Sequence, residues 1–410
     1  MKRTMATRFT RAAKRLHDDE GGLVVVLFVL VAIIFAILIA LNWNTGRIVS
    51  AKMRAQAAAD QGALAAATWQ SRAVNLITGT NMLILRNASA EVSARASMAV
   101  VNGVRHEWQA ALDACGDAPG GPCAQEIIRR IIRDPDNEIG PYIRFVGQTG
   151  QYANVAIENG VFTRRIAELH EFQRRLIESI PEVVEEQRGM IEAFHNVELI
   201  LAVPGRSDGL IVPPLRRGDA ASFERMLRLR RQLSDNWLPD AAEFGRFSAI
   251  GRARQIWDQA EEEAIVSIST EYGSFHYVLE TQVGADEISP SAGGRGAFSV
   301  FATAVVPEVR EDNFLFKGFF DYEISPADTA TAAAQAETFN GYDERFARRN
   351  AVAAWPFRVW TLWGWNWQPR LTRSDLARAT LESDPDTRAA WLGAGIEEMN
   401  YDSVGFGLQH

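Results

Sequence analysis

The chain has 410 residues, of which 47% are hydrophobic, and it carries 43 Lys and Arg against 51 Asp and Glu. With only two cysteines, this composition excludes a wholly disordered chain, a collagen-like chain and a disulfide-rich mini-protein. The first 22 residues have six basic and three acidic side chains, a net of +3, which leaves a net of −11 for the remainder and argues against nucleic acid as the main partner.

An uncharged segment, LVVVLFVLVAIIFAILIAL, occupies residues 23–41. As a helix it is about 28 Å long at roughly 1.5 Å per residue, which is enough to cross the hydrocarbon core of a membrane. Buried helices of soluble proteins rarely lack polar positions over such a length, and cleavable signals usually have a shorter apolar core with an A-x-A-like site. The sequence therefore predicts a transmembrane anchor over 23–41, with Trp43 at the position of an interfacial aromatic.

Basic residues are concentrated before this anchor, where there are six, whereas three closely follow it. Because Lys and Arg favour the cytoplasmic side, residues 1–22 are predicted to be cytoplasmic and everything after Asn42 to be exported. The expected topology is a single membrane pass. The basic residues are Lys2, Arg3, Arg8, Arg11, Lys14 and Arg15 before the anchor, and Arg47, Lys52 and Arg54 after it.

An Ala-rich helix is predicted over residues 42–113. A Gly before the apolar span, a Gly-Arg pair after it and then Q-x-A-A-D-x-x-A-L-A resemble the N-terminal module of the TadE/TadG-like Flp (Tad) pilus-assembly family, over about residues 19–67. A weaker similarity covers 334–340, 355–358 and 368–371. The resemblance implies a non-enzymatic assembly or minor pilin-like component whose partners are the Tad pilus platform or pilin-like subunits. It also implies a location in the bacterial inner membrane, with the C-terminal bulk in the periplasm. The matching residues are Gly21 or Gly22, Gly46, Arg47, Gln56, Ala58, Ala59, Asp60, Ala63, Leu64 and Ala65.

Two departures from the family limit what the resemblance implies. Processed pilins have a Glu at the fifth position after the cleaved Gly, and counting from Gly22 this chain has Leu27 there. We therefore expect a chain that begins at or near Met1 and is not cut at Gly22. The D-x-S-x-S run of a von Willebrand-type metal site is also missing from the sequence.

The Ala-rich helix is the candidate packing surface, because small side chains let another backbone approach closely. It is predicted to continue to about Leu112, with Gly79 and Gly103 as interruptions. Its partner is either the rest of the same exported domain, as is usual for amphipathic helices, or another pilus-type subunit. The candidate packing residues are Gln56, Ala59, Asp60, Ala63 and Leu64.

The only cysteines, Cys115 and Cys123, enclose the Gly- and Pro-rich turn CGDAPGGPC. In an oxidising compartment they are predicted to form a disulfide, with two free thiols as the alternative. Two cysteines alone do not make a closed metal site.

Residues 114–270 are predicted to be mainly helical, with one helical region broken at Pro181 and a second broken near Pro239. From Gly273 the apolar residues recur at every second position, as in a β-strand. Residues 271–325 are predicted to form a small antiparallel sheet of three strands, 275–283, 298–306 and 312–324. The expected class is α+β, and residues 326–410 form an Ala-rich and then Trp-rich C-terminal region.

Catalytic patterns in the sequence are weak. Ser207 lies in a G-x-S-x-G run, but Pro213 and Pro214 cannot supply the helix that a nucleophile elbow needs, so a turn is the favoured interpretation. Glu192-x-x-His195 has no second matching pair, and the six histidines lack ligand spacing. We expect no cofactor and no metal, and a membrane-tethered serine hydrolase is the least favoured function.

Five tryptophans fall within thirteen residues of the C-terminal region. Such a cluster fills a core, lies in a membrane interface or stacks on sugars, with core or docking use favoured. An anchored envelope protein that binds glycan through this cluster is therefore the main alternative function. The cluster comprises Trp355, Trp360, Trp363, Trp365 and Trp367.

Overall fold

The fold comes from a computed structural model of the protein. The structure describes residues 14, 20–116, 121–126, 151–203, 215–233, 253–279, 299–306, 315, 331–340, 362–363 and 367–372. Within these residues the predicted α+β class is confirmed, because a long N-terminal helix and further helices accompany a small antiparallel sheet.

The first helix, α1, runs without a break through 95 residues, Glu20–Ala114. The expected interruptions at Gly79 and Gly103 were wrong. A Gly inside a helix costs only about 1 kcal/mol relative to Ala, which packing on either side can offset. At Gly103 the missing side chain has a use, because a Cβ there would lie 2.7 Å from Ile256 Cδ1. Gly103 therefore permits a close helix–helix contact.

The second helix, α2, spans Val161–His195 and contains Pro181. The predicted break at Pro181 was also wrong. Ile180 and Val184, next to the proline and one turn beyond it, are buried, and their burial offsets the hydrogen bond that proline cannot make. The break expected near Pro239 lies outside the described residues. The remaining helices are α3 (Ala220–Leu233), α4 (Ala253–Tyr272), a 3-10 turn at Gly273–Phe275 and helical segments over 122–126 and 151–158.

Six described strands form two antiparallel sheets. The larger sheet has the order β1-β4-β5-β6, and the smaller sheet pairs β2 with β3. The strands in chain order are β1 (Glu198–Ala202), β2 (Leu215–Arg217), β3 (Tyr277–Leu279), β4 (Ser299–Val305), β5 (Thr331–Asn340) and β6 (Trp367–Leu371).

The predicted placement of the first two strands, 275–283 and 298–306, in one sheet was wrong. β4 pairs instead with β1, where Ile200 lies opposite Thr303, and with β5, where Ala302 lies opposite Ala334. β3 belongs to the other sheet. Because β4 is almost entirely buried, its backbone N–H and C=O groups need hydrogen-bond partners along both edges of the strand. The distant strands β1 and β5 supply them. The third predicted strand, 312–324, lies outside the described residues except for Leu315, which is in a turn.

The larger sheet packs on α1 through small side chains on both sides of the contact. Facing alanines allow the helix and sheet backbones to approach closely, so many weak dispersion contacts form. This surface of α1 is hereafter the alanine face, and it comprises Ala51, Ala55, Ala58, Ala59, Ala63 and Ala67, against sheet residues that include Leu199, Ala302, Ala304, Ala332, Ala334 and Ala336.

Candidate helix interface

The predicted packing residues divide between two sides of α1. Ala59 and Ala63 are fully buried and belong to the contact with the sheet. At the neighbouring Gly62, an added Cβ would lie 2.7 Å from Leu199 Cδ2. The chain itself therefore occupies the alanine face, which corresponds to the first of the two partners considered from the sequence.

The polar members of the predicted set lie at the edge of this contact. Gln56 Nε2 donates a hydrogen bond to Asp60 Oδ1 at 2.9 Å, one turn apart, and both residues are half-buried. Leu64, in contrast, is exposed. Of the five predicted residues, Leu64 is thus the one that points away from the sheet.

An exposed apolar surface lies on the other side of α1. Val49, Met53 and Leu64 are all exposed, and their spacings of four and eleven residues place them on one face of a helix. We refer to these three residues as the open face. Farther along, Leu76 and Leu83 are also exposed. The open face and the apolar span lie on the same continuous helix, and Val49 follows Leu41 by eight residues.

The N-terminal part of α1 is long and apolar enough to cross a membrane. Large apolar side chains around the whole helix circumference are exposed between Val24 and Ile39, unlike those of a core helix. Trp43, just beyond the span, is exposed as well. The N-terminal helix is therefore suited to serve as a membrane anchor.

Asparagines of α1 hold distant backbone segments against the helix. Asn75 Nδ2 donates to the carbonyl oxygen of Trp367 at 2.9 Å, and the Trp367 N–H donates to Asn75 Oδ1 at 2.9 Å. Asn81 Nδ2 donates to the carbonyl oxygens of Tyr277 at 2.8 Å and Leu362 at 3.1 Å. These amides pair with backbone groups of the strand residues Tyr277 and Trp367 and of Leu362, which is in a turn, so these groups have hydrogen-bond partners. Sequence reasoning did not identify these residues, because an isolated Asn in a helix forms no pattern.

A charged network lies where α1 meets α4. The buried carboxylate of Glu91 accepts hydrogen bonds from Arg95 and, at 3.0 Å, from the hydroxyl of Tyr272. The hydroxyls of Tyr272 and Thr163 are 2.7 Å apart. Burial raises the pKa of Tyr272, so the phenol stays protonated and remains a donor. These contacts tie three helices together and are structural.

The described tryptophans of the C-terminal cluster are core residues. Trp363 is buried, with its ring centroid 5.1 Å from that of His276 and 6.4 Å from that of Phe223. Trp367 is buried in a separate cluster with Val74, Ile77 and Leu362. Neither indole is open to a glycan or to lipid. Trp355, Trp360 and Trp365 lie outside the described residues.

The two cysteines are joined in the structure. Cys115 and Cys123 form a disulfide with a Cα–Cα distance of 5.7 Å. It closes the turn that follows the end of α1.

Glu192 and His195, the described residues that the sequence singled out as a possible half of a metal motif, make structural contacts. Glu192 accepts the Leu199 N–H at 2.8 Å, and His195 Nε2 is hydrogen-bonded to Gln61 Oε1 at 2.9 Å, so both link α2 to its surroundings. Ser207 lies outside the described residues. Within the part of the chain that the structure describes, no group of three or more His, Cys, Asp or Glu side chains could hold a metal ion.

Comparison with known proteins identifies the N-terminal module. Residues 21–70 match the Tad family model, described as Flp pilus-assembly TadE/G-like. The match covers the apolar span and the whole alanine face, so the resemblance noted from the sequence is confirmed over these residues. The Tad family is a pilus-assembly family and not an enzyme family. The comparisons with curated proteins and with solved structures found no match.

Proposed function

We propose that this protein serves a Tad-type pilus or secretion apparatus as a membrane-anchored, periplasm-facing assembly or minor pilin-like subunit. Its TadE/G-like module at residues 21–70 supports this role, and the proposed role involves no catalysis. One observation carries this proposal: the matched residues lie on a single uninterrupted helix that includes both the apolar span and the alanine face. Such a helix links a membrane anchor rigidly to an exported domain.

The charge distribution supports an orientation with the N-terminus in the cytoplasm. The six basic side chains before the span exceed the three that closely follow it. Under the positive-inside rule the residues after Asn42 face the periplasm, where the Cys115–Cys123 disulfide would be stable. Protease digestion of spheroplasts should remove the C-terminal bulk, whereas protection of the whole chain would contradict this orientation.

The open face is the surface that we assign to a partner helix. Ala59 and Ala63 already contact the chain's own sheet, so they are not available to another subunit. Val49, Met53 and Leu64 are exposed and lie within the matched residues. A neighbouring single-span subunit lying alongside α1 would therefore meet the open face about 12–35 Å beyond the end of the span, at about 1.5 Å per residue.

Photo-crosslinking in cells tests this assignment. A photoreactive amino acid at Leu64 should capture a pilin or pilus-platform protein. The same residue at Met190, an exposed apolar position on α2, should not. Recovery of no pilus protein from Leu64 or Met53 would refute the proposed interface.

A substitution separates assembly from stability. Met53→Lys should reduce pilus assembly while leaving the free energy of unfolding within about 0.5 kcal/mol, because Met53 is 64% exposed. Met190→Lys is the matched control and should affect neither property. Normal assembly with Met53→Lys would contradict a role for the open face.

A further inference from the structure

The covered side of α1 extends into the apolar span. Ala40 and Asn44 have no exposed surface, and Ile37 is partly covered, although the residues from Val24 to Val31 are exposed. Residues 37, 40 and 44 lie three and four apart and therefore share one side of the helix. Some part of the exported chain thus lies against the last turn of the span.

One contact shows which part of the chain lies there. Asn44 Nδ2 donates to the carbonyl oxygen of Leu315 at 3.1 Å, and the Leu315 N–H donates to Asn44 Oδ1 at 3.0 Å. These two bonds fix the backbone at Leu315 beside the helix. Leu315 nevertheless remains 44% exposed.

The position along α1 gives the depth of this contact. Asn44 follows Leu41, the last residue of the apolar span, by three residues, which is about 4.5 Å along the helix axis. The polar interfacial layer on each side of the hydrocarbon core is about 5–8 Å thick. Asn44, and with it Leu315, therefore lies within this layer when 23–41 spans the membrane. The exposed Trp43 lies at the same level.

We propose that the chain at Leu315 is a second membrane-contacting element, which places the Leu315 side chain in the lipid interface beside the anchor. Lipid is the occupant because the exposed Leu315 is bonded to the anchor helix through Asn44 and lies at interfacial depth. The sequence on either side, Phe314 and Phe316, is equally apolar. An Asn at the boundary also suits this role, since its amide satisfies the backbone groups that insertion would remove from water.

Photoreactive lipid tests the proposal on the unmodified full chain. The protein is reconstituted in phosphatidylcholine and phosphatidylglycerol vesicles that contain a lipid with a diazirine near its headgroup. The tryptic peptide 311–317 should carry lipid adducts, as should the anchor peptide 16–47. Peptide 255–295, which includes Val266, is the control, because Val266 is 46% exposed and its neighbour Ser267 contacts Arg95, far along α1. Adducts on the anchor alone would overturn the proposal.

A depth measurement supplies an independent readout. Leu315→Cys and Val266→Cys are labelled with bimane without reductant, so that the native disulfide stays closed. Doxyl lipid should quench the label at position 315 at least three-fold more than the label at 266, and Asn44→Ala should abolish the difference. Equal quenching by a water-soluble quencher at both positions would refute insertion. A label at 315 that is shielded from both quenchers would indicate protein cover and would refute it too.

Discussion

The contact between the alanine face and the sheet makes Ala63→Leu a decisive substitution. The new side chain adds three carbons. If it found space, their burial would stabilise the protein by about 0.8 kcal/mol per methylene, or about 2 kcal/mol. Ala63 is fully buried, however, and at adjacent Gly62 even a methyl group would lie 2.7 Å from Leu199 Cδ2. We therefore expect overpacking, with a loss of about 1–3 kcal/mol in the free energy of unfolding.

Urea unfolding of the full chain in detergent micelles, followed by tryptophan fluorescence, measures this loss. Ala90→Leu is the matched control, because Ala90 is an exposed alanine on the same helix. Its effect should stay within about 0.5 kcal/mol. If Ala63→Leu and Ala90→Leu unfold at the same urea concentration, the close helix–sheet contact is wrong. Lost pilus assembly without lost stability would instead make position 63 part of a subunit interface.

Three further predictions concern titration, the disulfide and processing. Burial lowers the pKa of His276 to about 4, against about 6.5 when unfolded, so the histidine is neutral in the folded protein and the unfolded chain binds the proton first. Stability should be full above pH 6.5 and fall by up to about 3 kcal/mol towards pH 4, and an equally steep fall in His276→Phe would contradict this assignment. Alkylation without reductant should modify neither Cys115 nor Cys123, and loss of their bridge should cost about 2–3 kcal/mol or less; alkylation of both thiols would rule the bridge out. Intact-mass analysis should find no form cut after Gly22, whereas a chain starting at Leu23 would restore a processed pilin.

The N-terminal module could be predicted because its signals are local. An uncharged run of membrane-spanning length, followed by a regular order of Gly, Arg, Gln, Asp and Ala, is visible without knowledge of any distant contact. The continuity of α1 through Gly79 and Gly103 was not predictable in the same way. Whether a Gly ends a helix depends on what packs around it, and Ile256, which approaches Gly103, lies far away in the sequence.

The larger sheet could not be derived, because β5, one of its two inner strands, has a composition that does not favour a strand. Thr331–Asn340 contains four alanines, and Ala is depleted in strands. It is a strand because Ala332, Ala334 and Ala336 meet the alanine face of α1, where larger side chains would not fit. The reason for its conformation therefore lies about 270 residues earlier in the chain, near Ala63.

The asparagine contacts were missed for the same reason. Asn44 and Asn75 bond to backbone groups 271 and 292 residues away, so no spacing rule links the partners.

The C-terminal tryptophans were only partly informative about their own role. Their density indicated packing or binding, and burial of Trp363 and Trp367 followed from the aromatic and aliphatic neighbours that the fold supplies.

The unbroken course of α1 also has a mechanical consequence. From Leu41 to Ala114 the helix extends about 110 Å at 1.5 Å per residue, and the described secondary structure contains no joint between membrane and tip. Treated as a straight rod, it acts as a lever: a tilt of about 20° in the bilayer, ordinary for a single span, displaces the far end sideways by about 37 Å. Small reorientations of the anchor, forced by a neighbour or by bilayer thickness, would thus become large movements at the end that carries Cys115.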